Sequence, residues 1–250
     1  MPLFFQQVID DSTKLALWKI EEEEAFFSQH VPLQRSITHP HKRLQHLAGR
    51  YLLKYLFPDF PIALIQVADT RKPYLRGEDY HFSISHCGDY AGVIVSKNRK
   101  VGMDIELFTP KIEKIAHKFV TDAEWARLEN RESGAVSEKS EMRHNEETTQ
   151  ESVNGETSNL TEVASANGQR STVNDQRIYL LTLLWSCKEA LFKWYGLGEV
   201  GFIRHMELKN LLRVDEQQFE LAFRFRKEKD LLLGLHSRFF EELVLSYVVT

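Results

Sequence analysis

Asp104 and Glu106 are two carboxylates two positions apart in an otherwise apolar segment, residues 101–106. On a β-strand, residues two positions apart project from the same face, so both carboxylates would face one ligand. Adjacent carboxylates repel each other unless a cation lies between them, and a hard ion such as Mg²⁺ accepts oxygen ligands of this kind. The pattern is common, however, and for an isolated pair ordinary acidic residues on a solvated strand are the better explanation.

A second pair of charged residues, Glu189 and Lys193, lies four positions apart in a segment typical of a helix. At this spacing the two side chains are neighbours on the helix surface and can address one ligand. Pairs of this kind are usually exposed salt bridges. Here the flanking residues 183–195 are mostly apolar or aromatic, and charges in such a setting require a partner or a metal ion. The setting therefore favours a functional role.

Three further segments carry groups that suit phosphate. Ser85 and His86 stand at the end of a predicted strand, where a hydroxyl, an imidazole and turn amides suit an anion, although a lone histidine there is more often structural. Lys72 lies in a basic loop that Pro73 stiffens. A basic stripe on a predicted helix is formed by Arg43, His46, Arg50 and Lys54. Each is unremarkable alone, but together they could surround several phosphates.

Composition and missing motifs exclude several classes of protein. The chain has 32 basic and 36 acidic residues, a net charge of −4, so no nucleic-acid partner is expected. Cys87 and Cys187 are too few for a disulfide framework, and no zinc, P-loop or dinucleotide motif occurs. No apolar stretch approaches the roughly 18 residues that span a bilayer, and no secretory signal is visible. We therefore expect a cytoplasmic protein without a membrane partner.

The hydrophobic pattern predicts an α+β protein with largely antiparallel strands. Helices are predicted at residues 39–57, 111–120 and 177–195, with an acidic first turn of a short helix at 21–24 and a capping box at 121–124. Strands are predicted at residues 14–20, 62–67, 81–85, 90–96, 101–107, 202–208, 220–225 and 243–249. The turns between residues 81 and 107 indicate an antiparallel meander.

Residues 130–176 differ sharply in composition from the rest of the chain. These 47 residues contain no Phe, Trp or Tyr, and nine acidic residues against four basic ones give a net charge of −5. Such a segment cannot bury enough apolar surface to offset the entropy of ordering it. We predict a disordered polar insertion.

Taken in order, these pieces resemble the 4′-phosphopantetheinyl transferases, specifically the larger, pseudo-dimeric class that activates peptide and fatty-acid synthases. That family carries a G-K-P-like loop, an F-x-I-S-H strand, a G-x-D-x-E strand and a W-x-x-K-E-x-x-x-K helix. The corresponding segments are Arg-Lys-Pro at 71–73, Phe-Ser-Ile-Ser-His at 82–86, Gly-Met-Asp-Ile-Glu at 102–106 and Trp-Ser-Cys-Lys-Glu-Ala-Leu-Phe-Lys at 185–193. The combined match is far more specific than any single part.

The resemblance implies two similar α+β halves, residues 1–99 and 100–250, related by a pseudo-two-fold in a monomer, with the active site in the cleft between them. It also implies a reaction: coenzyme A donates its phosphopantetheine arm to a serine of an apo acyl or peptidyl carrier protein, and adenosine 3′,5′-bisphosphate is released.

The resemblance assigns roles to the matched residues. Asp104, Glu106 and Glu189 would hold Mg²⁺ on the pyrophosphate of coenzyme A, and Glu189 would also take the proton from the carrier serine. Lys193 would neutralise charge that develops on the pyrophosphate. Lys72, Ser85 and His86 would contact the nucleotide and its phosphates, and the 3′-phosphate is assigned to Arg35, Arg43 and Arg50.

The sequence departs from the family pattern in two places. Between Glu106 and Glu189 lie 82 residues, more than relatives usually have, and the polar insertion accounts for the surplus. Its negative charge is expected to repel an acidic carrier unless the segment swings aside. Met103 replaces the usual Ile or Val. Two other functions stay open: a non-catalytic carrier-binding relative and an Mg²⁺-dependent nucleotide phosphohydrolase.

Overall fold

The computed structural model of the chain describes residues 3–77, 79–130 and 173–250. Along the chain the elements are β1 (Leu3–Asp10), β2 (Thr13–Lys19), α1 (Glu24–Ser28), α2 (Pro40–Leu56), β3 (Gln66–Val67), β4 (Pro73–Tyr74), β5 (His81–Cys87), β6 (Tyr90–Ser96), β7 (Val101–Leu107), α3 (Lys111–Ile115), α4 (Asp122–Asn130), α5 (Val173–Tyr195), α6 (Phe202–His205), β8 (Met206–Arg213), β9 (Gln218–Arg226), β10 (Asp230–Phe239) and β11 (Leu243–Val249). The predicted α+β class with antiparallel sheets is confirmed.

Two antiparallel sheets form the framework. One has the strand order β1-β2-β6-β5 and the other the order β7-β11-β10-β9-β8. Helix α2 packs its apolar face on the first sheet, with Leu47 and Leu52 fully buried against Val93 of β6. Helix α5 packs on the second sheet in the same way. Each sheet therefore buries one face under one long helix.

The sheets share a third apolar cluster. Leu17 and Ile94 of the first sheet pack there with Met103 and Leu245 of the second. All four side chains are fully buried. This shared cluster holds strand β7 against the first sheet, which matters for the carboxylates that β7 carries.

Side chains of β5 bind the free edge of β7. The hydroxyl of Ser83 accepts a hydrogen bond from the backbone N–H of Met103 at 3.1 Å, and that of Ser85 accepts one from Ile105 at 3.3 Å. The thiol of Cys87 receives the N–H of Leu107 at 3.4 Å. Buried backbone N–H groups require acceptors. Because no strand pairs with this edge of β7, side chains at alternate positions of β5 accept the hydrogen bonds of its N–H groups.

Several predicted elements agree closely with the structure. The helix predicted at 39–57 is α2, which starts at Pro40 and is capped by the His39 ring. The capping box is confirmed: Glu124 N–H donates to Thr121 Oγ1 at 3.2 Å, and Thr121 N–H donates to Glu124 Oε2 at 3.1 Å. The strands predicted at 14–20, 81–85, 90–96, 101–107, 220–225 and 243–249 are present within a few residues.

Other predictions were wrong. Residues 62–67 form a 3₁₀ turn, Ile62–Leu64, and only the two-residue β3. Residues 202–205 are helical, so the strand predicted at 202–208 starts at Met206. The helix predicted at 111–120 ends as the 3₁₀ turn Ala116–Lys118. The acidic run contributes only Glu24 to the first turn of α1. Strands β1 and β10 were not predicted.

Two wider predictions also need correction. The meander stops at β6, because β7 pairs with β11 in the other sheet and meets β5 through side chains. The ends of the predicted insertion are helical: residue 130 closes α4, and residues 173–176 open α5. The rest of that segment lies outside the described residues.

No helix in the described ranges is long and apolar enough to cross a membrane.

Candidate active site at the crossing of β7 and α5

Asp104 lies at the centre of the site. Its side chain is buried, and its Oδ1 accepts hydrogen bonds from Ser85 Oγ at 2.8 Å and from Lys193 Nζ at 2.6 Å. The Lys193 ammonium also donates to Ser85 Oγ at 2.8 Å. The other oxygen, Oδ2, is buried and has no hydrogen-bond partner in the described part of the chain. A buried carboxylate oxygen without a partner is costly, which marks it as a position for a ligand.

Gly102 allows α5 to cross β7 closely enough for these contacts. A Cβ atom on Gly102 would lie 2.3 Å from the carbonyl oxygen of Ala190 and 2.6 Å from the backbone nitrogen of Trp194. Any other residue would push the helix outward. Because Glu189 and Lys193 flank these contacts on the same helix, their approach to Asp104 depends on this glycine.

Glu106, two residues along the same strand, is held by two donors. Trp185 Nε1 donates to its Oε1 at 3.0 Å, and the Cys87 thiol donates to its Oε2 at 3.4 Å. Burial raises the pKa of Glu106, and the nearby Asp104 carboxylate raises it further. The two donors oppose that shift. A cation bound beside Glu106 would stabilise its negative charge.

Glu189 faces the same group of charges from the helix. Burial raises its pKa to about 7, repulsion from Asp104 and Glu106 acts in the same direction, and Lys193 opposes it. Glu189 of α5 therefore lies within electrostatic range of Asp104 and Glu106 on β7, although the sequence places the helix and the strand far apart. The raised pKa also places the titration of Glu189 near neutral pH, where a group can both accept and release a proton.

Glu189 and Lys193 line a cavity of about 190 Å³, together with Lys72 and Pro73. Lys72 packs against Gly196, the residue that ends α5 with a φ of +77°. A positive φ is the conformation that glycine adopts at low cost, and a Cβ there would lie 2.7 Å from Lys72 Nζ. Burial, with Lys100 nearby, lowers the pKa of Lys72 to about 8. The structure thus brings Lys72 to the same cavity as the predicted acidic and basic groups.

Two arginines and two histidines lie near one another around helix α2. Burial and the charges of Arg50, Arg35 and His86 lower the pKa of His46 to about 3, so these three residues lie within electrostatic range of His46. Arg50 is buried, donates to Gln34 Oε1 at 2.8 Å and has its pKa lowered to about 10 by burial and by Arg35. His46 is therefore neutral near pH 7, whereas Arg35 and Arg50 are cations that repel each other, and such a pair favours an anionic ligand.

His46 is the member of this cluster whose importance sequence reasoning missed. It was recognised only as part of a basic helix face, yet it is buried, and its Nε2 has no hydrogen-bond partner among the described residues. The signal available in the sequence was its spacing of four residues from Arg50, which places both on one side of α2.

Arg43 and Ser85 are already engaged. The Arg43 guanidinium binds the Glu24 carboxylate at 2.7 to 2.9 Å and donates to the Ile37 carbonyl at 3.0 Å. The Ser85 hydroxyl is used by Asp104 and Lys193. The structure therefore places Arg43 in an ion pair and Ser85 between the charged groups, and their predicted phosphate contacts stay predictions.

Comparison with known protein families gives a match over residues 100–248 to the model of the 4′-phosphopantetheinyl transferase superfamily. The chain belongs to this superfamily. The matched range is more than half of the chain and contains Asp104, Glu106, Glu189 and Lys193. A search of curated proteins gave no match. Transferases of this superfamily act on carrier proteins with coenzyme A as substrate, generally with Mg²⁺.

The residues present fit a magnesium ion in their chemistry. Asp104, Glu106 and Glu189 supply only oxygen donors, the kind that Mg²⁺ requires, and the partnerless Oδ2 of Asp104 is available. In the described ranges no group of three acidic, histidine or cysteine residues is already arranged around one point. The Lys193 ammonium forms an ion pair with Oδ1 of Asp104, so this oxygen already has a cationic partner.

Lys188, a motif residue to which no role was assigned, faces away from the cavity. Its ammonium is fully buried and donates to Glu124 Oε1 at 2.8 Å, the Phe119 carbonyl at 2.6 Å and the Phe202 carbonyl at 3.3 Å. Glu124 Oε1 also accepts the N–H of Leu208 at 2.9 Å. This buried pair joins α5 to α4, α6 and β8, so it fixes the helix that carries Glu189 and Lys193.

Proposed function

We propose that this transferase moves 4′-phosphopantetheine from coenzyme A to a serine of an apo acyl or peptidyl carrier protein and releases adenosine 3′,5′-bisphosphate. The observation that carries the proposal is the Lys193 ammonium on buried Asp104, in a cavity that Lys193, Glu189 and Lys72 line together. Phosphoryl-type transfer requires positioning and charge stabilisation more than a covalent nucleophile. Carboxylates, ammonium groups and a weak base meet that requirement.

Each side chain has a role in the proposed reaction. Asp104, Glu106 and Glu189 would hold Mg²⁺, which supplies charge neutralisation on the pyrophosphate. The serine oxygen bonds to the phosphorus that bears the pantetheine arm, and the bond from that phosphorus to the bridging oxygen breaks. Glu189 takes the serine proton, and Lys193 stabilises the charge that develops on the leaving phosphate.

The cationic residues support binding of the nucleotide portion. Lys72 lines the cavity, and Arg35, Arg50 and His86 lie within electrostatic range of His46 on α2. We assign the phosphates of coenzyme A to these groups, because guanidinium and ammonium groups bind phosphate oxygens strongly. Arg43 would need to leave Glu24 before it could take part.

The organisation of the chain supports a site built by one copy. Ser85 comes from the 1–99 part and Lys193 from the 100–250 part, and their side chains are bonded to each other. The family match starts at residue 100, and the second sheet starts at Val101. We propose a boundary at residues 99–100 and a monomeric enzyme. Both cysteines are free thiols, which supports a reducing compartment such as the cytoplasm.

The test is incubation of the purified protein with coenzyme A, Mg²⁺ and an acidic apo acyl carrier protein of fatty-acid synthesis. We expect the carrier to gain the mass of one phosphopantetheine, and EDTA to abolish the gain until excess Mg²⁺ restores it. A carrier of unchanged mass would refute transfer, and a gain unaffected by EDTA would refute the role of the metal.

Two rival functions are separated by leaving out the carrier. Release of adenosine bisphosphate from coenzyme A and Mg²⁺ alone would indicate a phosphohydrolase. Binding of the carrier without any release would indicate a non-catalytic relative. Intact Asp104, Glu106, Glu189 and Lys193 favour the transferase over the non-catalytic relative, since a binding protein does not need all four.

A further inference from the structure

Cys87, the last residue of β5, contacts the candidate active site but has no role in the proposed reaction. Its sulfur accepts the backbone N–H of Leu107 at 3.4 Å, and its thiol donates to Glu106 Oε2 at 3.4 Å. The residue is a free, half-buried thiol. Because the proposed transfer uses no nucleophile from the protein, the role of this thiol lies in the groups that it contacts.

The two contacts of Cys87 repeat those of Ser85. The Ser85 hydroxyl accepts the N–H of Ile105 at 3.3 Å and donates to Oδ1 of Asp104 at 2.8 Å. Cys87 is two positions further along β5 and makes the same pair of contacts two positions further along β7. Alternate side chains of a strand share one face, so the two β5 residues lie opposite the two carboxylates in register. Each of these acidic residues of β7 therefore has its own hydrogen-bond donor on β5.

The Cys87 thiol is one of two donors that fix the Glu106 carboxylate. It binds Oε2 from β5, and Trp185 Nε1 of α5 binds Oε1 at 3.0 Å. Donors on different elements restrain rotation of the carboxylate more than either would alone. A carboxylate oxygen has two lone pairs, so each of these oxygens can accept one hydrogen bond and still bind a cation. Glu106 is thus oriented before an ion binds, which lowers the entropy lost on binding.

We propose that Cys87 is a positioning residue that orients Glu106 and thereby raises the affinity of the active site for its divalent cation. The inference rests on the metal role that the proposed function gives Glu106. Replacing a group that orients a metal ligand typically weakens metal affinity by about 10- to 100-fold. A thiol is a weak donor, so we expect an effect at the lower end of this range, about tenfold.

Three substitutions at Cys87 separate positioning from packing. Cys87→Ala removes both contacts, and Cys87→Val removes them while it fills the space. Cys87→Ser keeps a group that can accept and donate, since the serine hydroxyls at positions 83 and 85 reach the N–H groups of β7 at 3.1 and 3.3 Å. The matched control is Cys187→Ala, which removes the other thiol of the chain, one that is buried and bonded to two serine hydroxyls of the second sheet.

Metal binding is measured on the intact protein with saturating coenzyme A and no carrier. Mn²⁺ is the probe, because the electron paramagnetic resonance signal of the free ion reports how much is bound. A titration of coenzyme A without protein is subtracted. KM for Mg²⁺ and kcat are measured separately with the apo carrier, and thermal unfolding reports the stability of each variant.

We expect Cys87→Ala and Cys87→Val to raise the Kd of Mn²⁺ and the KM of Mg²⁺ about tenfold. Their kcat at saturating Mg²⁺ should stay close to that of the wild type, because Cys87 does not touch the reacting atoms. Cys87→Ser should resemble the wild type, and Cys187→Ala should keep its Mn²⁺ affinity even where its stability falls.

A wild-type Mn²⁺ affinity in both apolar variants, or a Cys87→Ser variant that binds as weakly as they do, would overturn the inference. So would failure of both apolar variants to fold, which would make the role of Cys87 structural. A wild type that binds Mn²⁺ but transfers no phosphopantetheine would overturn the proposed function, and the affinity series would still decide the positioning role. A wild type that binds no Mn²⁺ beyond that held by coenzyme A would overturn the metal assignment and this inference with it.

Discussion

The Lys193 ammonium lies 2.6 Å from Oδ1 of Asp104 and 2.8 Å from Oγ of Ser85, so one cation joins strands β5 and β7 to helix α5. Asp104 is buried and Lys193 is only about one quarter exposed, so the contact is screened little by water. The protein therefore positions a positive charge and a carboxylate before any substrate arrives. That arrangement is electrostatic preorganisation, in which charges are fixed where charge will develop.

Replacing Lys193 tests this arrangement. Lys193→Ala should lower kcat by about 10²-fold, because the cation that stabilises the leaving phosphate is lost, while KM for coenzyme A changes little. Steady-state kinetics with the acidic carrier measures both quantities. The control is Lys54→Ala, an exposed lysine on α2. An effect confined to KM would contradict a role in the transition state.

Glu189 should make the stability of the metal-free protein depend on pH. An unfolded glutamate titrates near 4.5 and folded Glu189 at about 7, so between these values the folded chain binds more protons than the unfolded chain. The contribution of this group therefore makes the free energy of unfolding fall as pH rises from 4.5 to 7. Glu189→Gln should lack this fall, and denaturant unfolding across that pH range compares the two proteins. Parallel pH profiles would show that Glu189 titrates normally.

The same Glu189→Gln variant should lose about 10²- to 10⁴-fold in kcat, because an amide cannot accept the serine proton. Its fold should be retained, since glutamine has nearly the same shape. Circular dichroism checks the fold, and turnover with the apo carrier checks the activity. Turnover close to that of the wild type would remove Glu189 from both its base and its metal role.

Gly102→Ala should displace α5 from β7. The added Cβ would lie 2.3 Å from the Ala190 carbonyl oxygen, so the variant should lose about 1–3 kcal/mol of stability and much of its activity. Gly234→Ala is the matched control, because a Cβ there has no heavy atom within 4 Å among the described residues. Thermal unfolding and kcat report the two effects, and equal behaviour of the two variants would show that the close crossing has no consequence.

Lys188→Met should destabilise the protein by about 3–5 kcal/mol, because it leaves the Glu124 carboxylate buried without its cation. The double variant Lys188→Met/Glu124→Leu should recover most of that loss, since replacing both charges removes the unpaired one. Lys19→Met, which removes an exposed ion pair with Glu21, should cost no more than about 1 kcal/mol. A double variant no more stable than the single one would show that the pair is not coupled.

The fold was predictable where local pattern decides the structure. Helix α2 has a clear apolar face and a proline at its start, and α4 has a capping box, so both follow from interactions within a few residues. Strands β3 and β8 were misjudged, because 3₁₀ turns and short helices share the composition of strand ends. Whether the residues of such a segment are buried depends on which distant part of the chain packs over them, and local sequence does not record this.

The sequence by itself determined the acidic pair on β7, the Glu–Lys pair on α5, the family resemblance and the α+β class. These are set by residue type and periodic spacing, which a linear chain records directly. Only the tertiary structure decided that the hydroxyl of Ser85 lies between Asp104 and Lys193, that Arg43 is held by Glu24, and that Lys188 is buried. The physical reason is that charge, burial and hydrogen-bond partners are properties of neighbours in space, and here those neighbours are separated by up to 108 residues along the chain.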